Sequence, residues 1–170
     1  DLFYSYRSPY SYLALPRTMQ LVAEYDLTVN LRPVYPLAVR QPDFFKRTNP
    51  KFARHVALDA TRVAKRENIP FRFPRPDPIV QDMATLEIAA QQPYIHRLTR
   101  LGAAAQLEGK ALAFTHAITK PIWDGSVAGW PEGDHLAKAA AGAGFDLAAM
   151  DAAITADPDR YEKVIADNEQ

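Results

Sequence analysis

Apolar and polar positions change period several times along this 170-residue chain. Leu2 to Tyr6 is a short, mostly apolar run, which predicts a buried strand. Ser8 offers a hydroxyl to cap a following helix, and Pro9 suits the first helical position, where a missing amide costs nothing. That helix should run to about Tyr25, with Leu13, Met19, Leu21 and Val22 among its apolar positions; Pro16 inside it should kink or shift it. Leu27 to Leu31 alternates with period two and predicts a second strand. One helix between two strands predicts a parallel βαβ unit.

Arg32 to Pro50 reads as irregular, broken by Pro33, Pro36, Pro42 and Pro50. Phe52, Ala53, Val56, Ala57, Ala60, Val63 and Ala64 fall on one helical stripe. The helix they predict should stop before Ile69-Pro70, because a residue preceding proline avoids helical geometry. Phe71 to Pro78 reads as extended. Beyond it the pattern is helical, with helices predicted over 79–91, 94–107, 110–123, 132–141, 147–155 and 158–168. Asp146 and Asp157 are the expected caps, and Gly142 and Gly144 the expected stops.

Composition narrows the class. With 48% hydrophobic and 24% charged residues the chain is neither disordered nor a membrane protein in type. No apolar stretch approaches the length that crosses a bilayer, and the first residues lack the regions of a signal peptide, so a cytoplasmic location is expected. The absence of cysteine excludes disulfides, thiolate metal sites and internal dithiol chemistry. Net charge is zero but unevenly spread. Arg40 to Arg66 carries eight basic residues against Asp43 and Asp59, while Asp124 onward carries ten acids against Lys138, Arg160 and Lys163. The basic stretch could attract a small anion or simply form a solvated helix face. It is short and matches no nucleic-acid motif, so no nucleic-acid partner is expected.

The chemistry concentrates at Ser8-Pro9-Tyr10-Ser11. A strand feeding a helix N-terminus is suited to holding an anion. In redox proteins of this layout a Cys-x-x-Cys fills the turn, and the helix lowers the thiol pKa. Here two serines stand instead, so a working thiol must arrive with a ligand. Read from the residues alone, Ser8 is either a plain cap or a functional hydroxyl. No Gly-x-Ser-x-Gly elbow supports a hydrolase, and His55, His96, His116 and His135 show no metal-ligand spacing, so no metal is expected. Tyr6, Tyr10, Tyr12, Tyr35, Phe44, Phe45 and Trp123 could wall a flat apolar substrate or form ordinary core.

The run Phe3-Tyr4-Ser5-Tyr6-Arg7-Ser8-Pro9-Tyr10-Ser11-Tyr12-Leu13-Ala14 resembles the N-terminal signature of 2-hydroxychromene-2-carboxylate isomerases. These sit with kappa-class glutathione transferases in the DsbA-like branch of the thioredoxin superfamily. Asn68-Ile69-Pro70 with Phe71-Arg72-Phe73-Pro74, the helix from Phe114 to Trp123, and Gly142-Ala143-Gly144-Phe145-Asp146 are similar to later family segments. The resemblance implies an α/β thioredoxin-like fold, with residues 1–33 forming the first βαβ part and 34–170 a linker and large helical insertion. The strand–strand–helix that completes such a sheet is expected to be absent from this chain.

The resemblance further implies a glutathione-dependent isomerase acting on a small aromatic carboxylate, in the cytoplasm and as a homodimer. Ser8 would be the catalytic hydroxyl. Ser8, Pro9, Tyr10, Asn49 and Lys51 would bind glutathione, and Tyr6, Tyr10 and Trp123 would line the substrate pocket. Where the family often carries an acid, this chain has Ser5. The alternatives are a kappa-like glutathione transferase, a non-catalytic binder of glutathione or an aromatic ligand, and a helical interaction module.

Overall fold

The computed structural model describes residues 1–49, 51–82, 85 and 87–170. Among these, two short strands and nine helices follow one another. β1 (Leu2–Tyr4), α1 (Pro9–Glu24) and β2 (Leu31–Pro33) open the chain, and the single turns α2 (Leu37–Arg40) and α3 (Phe44–Arg47) follow. Then come α4 (Phe52–Arg66), α5 (Ile95–Leu107), α6 (Ala111–Trp123), α7 (His135–Gly142), α8 (Leu147–Ala156) and α9 (Pro158–Asn168).

The strands pair in parallel, as one intervening helix requires, with Leu2 opposite Leu31 and Tyr4 opposite Pro33. The second strand therefore sits later than the alternation at Leu27 to Leu31 suggests. The register explains the shift. Leu2 N–H donates to Asn30 O, and β1 from Leu2 to Tyr4 lies opposite Leu31 to Pro33, so the paired residues fall after Leu27 to Val29. Leu27 and Tyr25 are accordingly exposed.

Pro16 does not end α1, which runs on through it with the proline on the outer face. The 32–50 stretch, expected to be irregular, contains the single turns α2 and α3. Pro50 lies outside the described residues.

The helix expected over 79–91 is a larger miss. Its described residues are non-helical: Gln81 and Ile88 form an antiparallel bridge, and Ala89 N–H donates to Val80 O at 3.0 Å. The buried side chain of Gln92 takes over what a helix would need. It accepts from Val80 N–H and donates to Val80 O and Ala89 O, at 2.8–2.9 Å. Met83, Ala84 and Leu86, within that expected helix, lie outside the described residues. The other long helices fall within a few residues of expectation, and Asp146 and Asp157 cap α8 and α9 through their side chains.

One connected core joins strands and helices, from Tyr4 and Leu31 through Ile95, Leu98, Phe114 and Ile118 to Tyr161 and Ile165. α5 crosses β2 closely because residue 102 is glycine. A Cβ there would fall on the Tyr6 hydroxyl and 2.8 Å from Pro33 Cγ.

Candidate functional site

β1 ends at Tyr4, the chain turns through Tyr6 and Arg7, and α1 begins at Pro9. Ser8 N–H donates to Ser5 O at 3.0 Å, which closes the turn. Ser8 Oγ accepts from Ser11 N–H at 3.2 Å, so the residue is a true N-cap. Tyr12 N–H goes to Ser8 O, and Pro9 has no amide to offer. Of the first-turn amides this leaves Tyr10 N–H without a hydrogen-bond partner among the described residues. Ser8 is half-buried, and its hydroxyl, engaged as an acceptor, keeps a proton to donate. No acidic residue occupies the first turn of α1. The mouth of the helix thus combines a hydroxyl donor, a spare amide and the positive end of a 16-residue dipole.

Tyr10 is 40% exposed and its hydroxyl donates to Asp59 Oδ2 at 2.6 Å, tying α1 to α4. That hydrogen bond to a carboxylate, with a smaller contribution from burial, pushes the phenol up to about 12. Tyr10 thus offers a ring face rather than an acid or base near neutral pH. Arg7 forms a forked pair with Asp77, both contacts at 3.2 Å, and lies 5.8 Å over the ring of Phe45. α3, α4 and the segment around residue 77 therefore all reach the Ser8 turn. Asn49 and Lys51 stand exposed between α3 and α4, joined by a hydrogen bond from Lys51 N–H to Asn49 Oδ1 at 2.9 Å. Among the described residues neither forms a hydrogen bond with Ser8.

Tyr6 and Trp123, expected to line a substrate pocket, sit in the core instead, at 0% and 1% exposure. Tyr6 Oη is hydrogen-bonded to Thr115 Oγ1 at 2.9 Å, and burial holds its phenol well above the usual range. Trp123 stacks on Tyr12 and Phe71, with centroids 6.0 and 5.8 Å away. Its indole N–H donates to Tyr6 O at 3.2 Å. Both residues buttress the turn from behind and present no open face. Apolarity in the sequence signals burial but does not distinguish core from pocket wall. Tyr35 is drawn elsewhere, to Glu162 at 2.7 Å and His96 at 3.2 Å.

Asp59 and Asp77 are not among the residues to which the motif points. They meet their partners 49 and 70 residues away, and nothing local marks them. Arg7 belongs to the motif, but its partner Asp77 lies 70 residues away. The Ser5 hydroxyl is buried, with no hydrogen-bond partner among the described residues.

The residues present fit a thiol at Ser8. Tyr10, Asn49 and Lys51 are exposed; two cavities, of about 390 and 120 Å³, are lined by other residues.

The model of the DsbA-like thioredoxin domain matches residues 1–170. The chain belongs to that family. Its fold is similar to a solved structure of 2-hydroxychromene-2-carboxylate isomerase, with a TM-score of 0.69 and 21% sequence identity, over 99% of this chain and 78% of that one. A search of curated proteins found no match. No helix of the chain is long and apolar enough to cross a membrane among the described residues.

Proposed function

We propose that this member of the DsbA-like thioredoxin-domain family is a glutathione-dependent isomerase of the 2-hydroxychromene-2-carboxylate type. The observation that carries the reading is the Ser8 hydroxyl, half-buried at the mouth of α1 and engaged only as an acceptor. The solved isomerase with the same fold supports it.

The chemistry that glutathione supplies when bound is a thiol able to add to a conjugated double bond and to leave after rotation. The chain's part is to keep that sulfur charged. A thiol of pKa about 8.5 is only about 3% ionised at pH 7. Lowering the pKa to about 6.5 takes roughly 2.7 kcal/mol of anion stabilisation. A helix terminus contributes about 0.3–1 kcal/mol, or ~2 in a sheltered site. A hydrogen bond to a charged acceptor contributes roughly 1.5–3 kcal/mol. The Ser8 hydroxyl and the α1 terminus together reach the requirement; neither comfortably does so alone. Tyr10 offers a ring face for a flat substrate, and Asn49 and Lys51 offer polar contacts to the peptide part.

The test is titration of the 170-residue chain with glutathione while following thiolate absorbance, then assay with the chromene carboxylate. The expected result is a thiolate signal at neutral pH and turnover that Ser8→Ala reduces far more than glutathione affinity. Equal turnover in variant and wild type ends the role of Ser8. Conjugation of a chlorinated aromatic electrophile without isomerisation replaces the reading with a transferase. Binding without thiolate replaces it with a non-catalytic binder.

A further inference from the structure

One cavity shares no lining residue with the Ser8–Ser11 turn. The segment after Phe71 and the loop after Trp123 enclose a cavity of about 120 Å³. Two arginines, Arg72 and Arg75, line it, and Phe73 and Trp130 supply aromatic walls. No residue of the Ser8–Ser11 turn takes part. Neither arginine has a carboxylate partner among the described residues. The nearest acids in sequence are otherwise engaged and do not line the cavity: Asp77 holds Arg7 and the Ile79 amide, and Asp124 accepts from Ser126 N–H.

The loop is shaped for this arrangement. Gly125 and Gly129 have φ of +77° and +67°, in the left-handed region where a Cβ is strained. A Cβ at Gly125 would stand 3.0 Å from Arg72 Cβ and 3.1 Å from its Cδ, so glycine there lets the arginine stem lie across the loop. The backbone on the other side is fixed too. Arg72 N–H donates to Trp123 O at 2.6 Å, and Trp130 Nε1–H donates to Pro76 O at 2.7 Å. The two arginines are therefore carried on a segment anchored at both ends of the cavity.

We propose that this cavity binds a small planar carboxylate, a single ring bearing one anionic group. Guanidinium groups match carboxylates in a planar, forked geometry, and they do so best where no side chain competes. The aromatic walls favour a flat apolar body over a hydrated inorganic ion. The volume sets the size. Drug-sized ligands occupy ~300–1,000 Å³, so this cavity admits a ring and not a peptide. The assignment stands independently of the reading of Ser8.

The test uses the full chain without any thiol, with benzoate as probe. Calorimetry reads binding, and the indole N–H resonance of Trp130 reads its location. Benzoate is expected to bind once per chain and to shift that resonance. Arg72→Gln and Arg75→Gln should each weaken binding about tenfold or more, the worth of a charge-assisted hydrogen bond. Benzamide, of the same shape without the charge, should bind at least tenfold more weakly than benzoate. Unchanged melting of both variants shows that the loss is local, since neither side chain is buried. The proposal is overturned if benzoate leaves the Trp130 resonance unmoved, if the double arginine variant binds as wild type does, or if benzamide matches benzoate. Inorganic phosphate binding as tightly as benzoate overturns the aromatic assignment.

Discussion

The indole of Trp123, at the last position of α6, donates its N–H to the backbone carbonyl of Tyr6, two residues before the Ser8 cap. A residue 117 positions away thus fixes the backbone from which the candidate site grows.

Trp123→Phe keeps an aromatic ring but removes that donor together with part of the buried indole volume. Loss of the partner of a buried carbonyl costs about 1–3 kcal/mol. Trp123→Ala removes the stacking with Tyr12 and Phe71 as well, and large-to-small aromatic changes cost about 3–5 kcal/mol. Urea denaturation should rank wild type above Trp123→Phe above Trp123→Ala. Equal midpoints for the first two would mean that neither the hydrogen bond nor the second ring contributes to stability.

Ser8 can be split into its two roles. Ser8→Ala loses the cap and should cost about 0.5–2 kcal/mol. Ser8→Asp keeps a capping oxygen and adds a favourable charge at a helix N-terminus, so stability should stay near wild type. The aspartate cannot donate to a thiolate and repels it. Glutathione bound to Ser8→Asp should therefore show little thiolate absorbance although the fold is intact. A full thiolate signal in that variant would assign the anion stabilisation to the backbone alone.

Gly102→Ala adds a methyl between α5 and the strands, against Tyr6 and Pro33. Overpacking of this kind costs about 1–3 kcal/mol. Because the colliding group on one side is the Tyr6 hydroxyl, Tyr6→Phe in the same chain should recover part of the loss. Additive effects in that double variant would place the strain elsewhere.

Acid should weaken the fold through two histidines. Burial lowers the pKa of His96, helped by the Arg100 charge and opposed by Glu162; burial also lowers His116, helped by Lys120. A lowered folded-state pKa means that the unfolded chain takes up protons first. The contribution is fully present above the unfolded value near 6.5 and is lost as pH falls through the folded values. Stability measured by urea denaturation should decline below pH of about 6.5. His96→Gln and His116→Gln should each flatten that decline; a slope unchanged in both would move its cause to the carboxylates.

The parts of this molecule legible in the sequence are those decided locally. The Ser8 cap and Pro9 declare themselves within four residues, and the stripe from Phe52 to Ala64 needs only its own spacing to make α4. Register is different. The alternation at Leu27 to Leu31 is a sound strand pattern, yet the strand forms where β1 offers partners. The segment after Pro78 has helical spacing, but a single buried amide, Gln92, fastens it open from a position no periodicity reveals. The candidate site shows the same division. Its hydroxyl belongs to the Ser8-Pro9-Tyr10-Ser11 motif. Asp59 and Asp77, which bring α4 and the 77 region to it, depend on pairings across the fold.

The chain has two tryptophans, and both grip the segment from Phe71 to Pro76. Trp123 lies against Phe71 and Phe73, while Trp130 holds Pro76 by its indole N–H. Intrinsic fluorescence is therefore a label-free gauge of whether that segment is seated. An emission shift with the far-ultraviolet helix signal unchanged would report its lifting alone, on the unmodified protein.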